Sequence, residues 1–126
     1  MRKKAFFGLL LLGFLSIVMA ACTIRDAAVT SGPSVRMLGA DFAQGTITIK
    51  KGEQLHLINA SSSPHIVANG TWTNGEAKPG SESGAPQVNM NFVGNDSAMT
   101  PPFNTAGSFN LYCPIHGGMN LTVNVE

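Results

Sequence analysis

The chain has 126 residues and a mass of 13.2 kDa, the size of one small domain. Eight Lys+Arg stand against seven Asp+Glu, but Arg2, Lys3 and Lys4 open the chain, so the remainder carries five basic and seven acidic groups. That remainder has no basic stripe to track a phosphate backbone, which excludes nucleic acid as a partner, and three His with two Cys are too few for a multinuclear oxidase centre.

In chain order, Ala5 to Ile24 hold no charged side chain and are rich in Phe, Leu, Ile and Val behind the basic start, the pattern of an export signal. Met19-Ala20-Ala21-Cys22 resembles a bacterial lipobox, in which small residues precede a cysteine that becomes the lipidated N-terminus. Residues 1–21 are then signal peptide, Cys22 is the lipidation site, and residues 22–34 form a flexible, lipid-anchored tether of small and polar residues. The domain is expected to be a cell-envelope lipoprotein facing the periplasm or the exterior. Cleavage after Val18-Met19-Ala20 and an uncut membrane span are the other outcomes, and each of them also exports the domain. Two cysteines in an exported chain ordinarily form a disulfide, here Cys22 with Cys113. Lipidation excludes that bond and leaves Cys113 a free thiol, which needs a reason such as a metal.

From Val35 onward the hydrophobic period is two. Ile47 and Ile49, Leu55 and Leu57, Phe109, Leu111 and Cys113, and Leu121, Val123 and Val125 alternate with polar neighbours. Lys51-Gly52, Asn69-Gly70, Gly94-Asn95-Asp96 and Ala106-Gly107 supply turns. No window after the signal carries a helical stripe. Residues 35–126 therefore read as one all-β domain, a two-sheet sandwich of six to eight short strands, with residues 69–86 as a Gly- and Pro-rich loop that Trp72 pins to the sheets.

The donor groups gather late. Cys113-Pro-Ile-His116-Gly-Gly-Met119 presents a thiolate, an imidazole and a thioether within seven residues on a turn between two strands. Thiolate and thioether favour Cu(I), and imidazole also serves Cu(II), so the set suits a single copper ion. One further imidazole completes a trigonal site with a weak axial thioether, and Pro64-His65 offers it.

The segment GSFNLYCPIHGGMNLTVNVE resembles the final hairpin of the small blue copper proteins, the cupredoxins, in their plastocyanin and amicyanin branch. Phe42 to Asn59 before Pro64-His65 resembles the strand, Gly turn and strand that lead to that family's first histidine. The two residues between His116 and Met119 match the shorter, amicyanin-type loop. The resemblance implies a Greek-key sandwich, one type 1 copper ion, and His65, Cys113, His116 and Met119 as its ligands. Two positions depart from the family pattern. Ile66 and Pro114 stand where an Asn after the first histidine is commonly tied to a Ser or Thr after the cysteine.

Each of these residues has a plainer reading. Cys113 in phase with Phe109 and Leu111 alone would be a core thiol. A catalytic Cys–His dyad needs an orienting third group, which the sequence does not supply. Zinc gains little from a thioether. His56 reads as a surface or edge imidazole, and Met37, Met90 and Met99, without histidine neighbours, read as core or loop fillers. The expected function is electron transfer by copper cycling between Cu(I) and Cu(II), with no substrate turned over. A copper-delivery protein handing Cu(I) to an apo-oxidase is the alternative. Partner redox proteins are expected to dock near His116, on a monomer, around Ile115, Gly117 and Gly118 with Pro64 and Pro102 from neighbouring loops.

Overall fold

The computed structural model describes residues 32–126. The expected signal peptide, the expected lipidation of Cys22 and residues 22–31 of the expected tether fall outside the described residues. Within them are nine strands and no helix: β1 Ser34–Met37, β2 Thr46–Ile49, β3 His56–Asn59, β4 His65–Thr73, β5 Glu76–Pro79, β6 Asn89–Phe92, β7 Ser97–Met99, β8 Gly107–Tyr112 and β9 Asn120–Val125. One sheet has the order β1-β3-β7. The other runs β2-β9-β8-β4-β5, with β6 also pairing with β4.

The strands form where apolar residues recur at every second position. In β9 Leu121, Val123 and Val125 are buried and the residues between them are only half-buried. In β3 Leu57 is buried between the half-buried His56 and Ile58. The inward faces of both sheets meet in one core that includes Val35, Met37, Leu55, Leu57, Phe92, Phe103, Phe109, Leu111 and Leu121. Removing such side chains from water contributes about 1.5–3 kcal/mol each.

Nine strands exceed the expected six to eight because the segment read as a loop contains a hairpin. β4 continues to Thr73 and turns back into β5, pairing Thr73 with Glu76 and Gly70 with Pro79. Asn74 and Gly75 form its two-residue turn with φ of 52° and 76°, the left-handed pair that a tight hairpin requires. The Asn-Gly dipeptide after Thr71-Trp72-Thr73 was the available signal. Asn69-Gly70, expected as a turn, instead lies inside β4. Gly70 is needed there because a Cβ would come within 2.6 Å of both the Tyr112 ring and the Lys78 carbonyl.

The loops segregate to two ends. At one end Asn59 N–H donates to Asp96 O (2.8 Å), Ala60 N–H to Met37 O (2.9 Å), Asn95 N–H to Ser61 O (3.0 Å) and Cys113 N–H to Met119 O (3.0 Å). At the other, Lys51 N–H donates to Glu126 O (2.8 Å), Gly52 N–H to Phe103 O (2.7 Å) and Thr100 N–H to Leu55 O (2.9 Å). β3, β8 and β9 run between these ends, so a loop's end follows from the strand it adjoins.

Candidate metal centre

His65, the first residue of β4, and the turn that follows β8 meet at the first of these ends. One nitrogen each of His65 and His116 and the Cys113 sulfur lie within 4.8 Å of one another. Cys113 Sγ is 3.3 Å from His116 Nδ1. The two imidazole rings are 4.7 Å apart at 49°. Cys113, Met119 and His65 are buried, whereas His116 is half-buried.

The turn is held by its own backbone. Besides the Cys113–Met119 bond, His116 N–H donates to Cys113 O at 3.3 Å and Met119 N–H to His116 O at 3.2 Å. Gly118, at φ 81°, supplies the left-handed residue that returns the chain into β9. Met119 is thereby brought back beside Cys113 and fully buried.

The loop before His65 is built around a buried side chain, that of Asn59. Its Nδ2 donates to Ser63 O (2.7 Å) and Val93 O (2.8 Å), and its Oδ1 accepts from Ser61 N–H (3.1 Å) and Ser61 Oγ (2.9 Å). Ser61 Oγ also lies 3.3 Å from Leu38 O and 3.4 Å from His65 Nε2. Asn59 Oδ1 and Leu38 O only accept, so they take the single hydroxyl proton. Towards His65 the hydroxyl is left as an acceptor, and it receives a proton from Nε2–H. The opposite nitrogen, Nδ1, is then a bare lone pair, buried and without a hydrogen-bond partner.

An unpartnered buried nitrogen is costly unless something binds it. Beside a thiolate, a second imidazole and a buried thioether, the donor set fits one copper ion. Burial pushes the His65 imidazole below its ordinary pKa of 6.5, the nearby His116 adds to this, and a backbone hydrogen bond at Leu38 opposes it. The ring is thus kept neutral, the form that binds a metal.

Ile66 and Pro114 share the lining of one surface cavity with Ala68 and Val88. Neither side chain carries a polar atom, so no side-chain hydrogen bond joins these two positions. Trp72, expected to pin a loop, does so at the centre itself: its Nε1–H donates to Cys113 O at 2.9 Å. Sequence reading did not single out Asn59, Ser61 or the Trp72 contact. Asn59-x-Ser61 is a recognisable Asx-turn pattern, whereas the partner of Trp72, 41 residues away, left no local trace.

Three expectations need correction. Pro102 adjoins Phe103, which bonds to Gly52, so it lies at the end away from the centre. Met99 does have a histidine neighbour, being directly opposite His56 across β3 and β7. His56 itself lies on the middle strand of its sheet, half-buried and also at the far end.

No protein-family model matches the chain, and no curated protein does. Solved structures do. Amicyanin from Paracoccus versutus is similar with a TM-score of 0.58 and 23% identity, over 77% of this chain and 83% of that one. A reduced, Cu(I) form of an amicyanin variant gives 0.59 at 18% identity, over 76% and 83%. The copper-containing nitrite reductase of Thermus scotoductus gives 0.57 at 16% identity, over 75% of this chain and 22% of that longer one. Residues 32–126 thus fold as a two-sheet, cupredoxin-like β-sandwich of the amicyanin kind.

Proposed function

We propose that this protein is a type 1 copper electron carrier, in which His65, Cys113, His116 and Met119 would hold the copper. The observation that carries the reading is the convergence of one sulfur and two imidazole nitrogens within 4.8 Å, next to a buried methionine, in an amicyanin-like fold. Copper held there supplies a one-electron couple between Cu(I) and Cu(II). The protein's part is to keep one donor geometry for both states: the Asn59–Ser61 loop orients His65, and the backbone-closed turn orients the other three. Burial of Cys113, Met119 and His65 slows metal release and so favours a carrier of electrons over a carrier of Cu(I).

His116 is the ligand nearest solvent, and electrons are read as crossing its edge to a redox partner that docks on the monomer there. The lipobox pattern around Cys22 supports an exported protein tethered to a membrane. The test of the copper reading is optical. Cu(II) added to the protein should produce an intense absorption in the red, bleached by ascorbate and restored by an oxidant. Cys113→Ser should abolish the band, and His65→Ala should perturb it strongly. A colourless protein, or a His65→Ala variant with the wild-type spectrum, would sink the ligand assignment.

A further inference from the structure

Trp72 is tied to both ends of the turn that carries three of the four proposed ligands. Its indole Nε1–H donates to the Cys113 carbonyl at 2.9 Å, at the turn's first residue. Just past the turn's last residue, the Asn120 side chain grips the Trp72 backbone in both directions. Trp72 N–H donates to Asn120 Oδ1 at 2.7 Å, and Asn120 Nδ2–H donates to Trp72 O at 3.0 Å. The same Cys113 carbonyl accepts the His116 N–H that closes the turn, so both of its lone pairs are used and its peptide plane is fixed. The Trp72 ring also stacks edge-on with Tyr112, at 6.5 Å and 68°, immediately before Cys113. Ile66 and Pro114 contribute no side-chain hydrogen bond between the His65 loop and this turn, because neither side chain carries a polar atom.

We propose that Trp72 is a positioning residue for the metal centre: with Asn120 it clamps the two ends of the 113–119 turn and fixes the plane from which the Cys113 thiolate is presented. The clamp rests on the copper reading for its purpose, but its geometry belongs to the protein alone. Trp72 is the chain's one tryptophan. Its indole N–H therefore gives a single assignable resonance, and its exchange with solvent reports the bond directly in the metal-free protein.

The experiment has three parts. In metal-free wild-type protein the indole proton should exchange slowly, and in Asn120→Ala faster. In the copper-loaded protein, Trp72→Phe keeps an aromatic ring but removes the donor together with part of the indole. It should lower copper affinity by about tenfold or more, the usual effect of losing a hydrogen-bond partner behind a ligand, and shift the thiolate-to-copper absorption. Val125→Ala, a cavity at the opposite end, should lower stability with an unshifted band, which separates positioning from general loosening. An indole proton that exchanges as fast as free indole overturns the clamp even if Trp72→Phe fails to fold. So does a Trp72→Phe variant with wild-type affinity and spectrum. If the wild type develops no copper band while its indole proton is protected, the copper reading fails and the clamp stands.

Discussion

The acceptors beside Nε2 decide which nitrogen of His65 keeps its proton. Ser61 Oγ has one proton, two acceptors compete for it, and so Nε2 must bring its own, leaving Nδ1 free for a metal. Without metal that arrangement has a pH signature. His65 is held below 6.5 in the folded chain and returns to the ordinary value when unfolded, so below that pH the unfolded state binds more protons. The stability due to its neutral form is complete above about pH 6.5 and is lost as the pH falls through that value toward the folded pKa. Thermal melting of metal-free protein should therefore show a drop as the pH falls below about 6.5, and His65→Gln should flatten it. An equal drop in His65→Gln would assign the effect to other groups. Saturating Cu(II) should suppress the wild-type drop by holding Nδ1 in its deprotonated form.

The β4–β5 hairpin shows most clearly what one glycine permits. Gly70, at φ 144°, lets the buried Tyr112 ring lie against β4 where any Cβ would collide with it and with the Lys78 carbonyl. Gly70→Ala should destabilise the domain by about 2–3 kcal/mol, read from the denaturant midpoint. It should also disturb the copper spectrum, because Tyr112 immediately precedes Cys113. A spectrum unchanged alongside the stability loss would mean that the strain relaxes into β5 instead. The hairpin was hidden in the sequence by its composition: Glu76, Lys78 and Pro79 are poor strand formers, and their pairing comes from the Asn74-Gly75 turn and the edge position of β5. β2, β3, β8 and β9 were legible because each buries one face and therefore alternates. The candidate centre was half-legible for a related reason. Cys113, His116 and Met119 share one turn and announce themselves locally, whereas Asn59, Ser61 and Trp72 act through contacts that only the assembled sheets create.

The two ends of the sandwich differ in character. Of the four large apolar residues that are markedly exposed among the described residues, Leu38 (44%), Val93 (69%) and Ile115 (51%) adjoin the loops around the centre, and Met99 lies at the far end. Exposed Pro64, Gly94, Gly117 and Gly118 add little polar surface there. Asp41 and Asp96 bring single carboxylates, not a patch, while Lys50, Lys51, Glu53 and Glu126 cluster at the opposite end. Docking at His116 should then be mainly apolar, with second-order transfer rates that change little between low and physiological salt. Ile115→Lys should slow transfer without altering the spectrum. A steep salt dependence, or an unchanged rate in that variant, would move the crossing point away from His116. Tyr112 is a poor substitute because β4 and Trp72 cover it.

The position of β9 governs when this molecule can exist at all. β9 lies between β2 and β8, and its parallel register with β2 joins Thr46 to Thr122. In a chain that lacks residues 120–125 the larger sheet therefore cannot join β2 to β8, and closing so long a loop makes folding slow compared with local helix formation. A ribosome-bound or half-threaded polypeptide would remain pliable until those residues emerge. For the export proposed from the lipobox pattern, late closure of this kind would keep the chain transportable and would postpone the capture of metal until β9 has emerged.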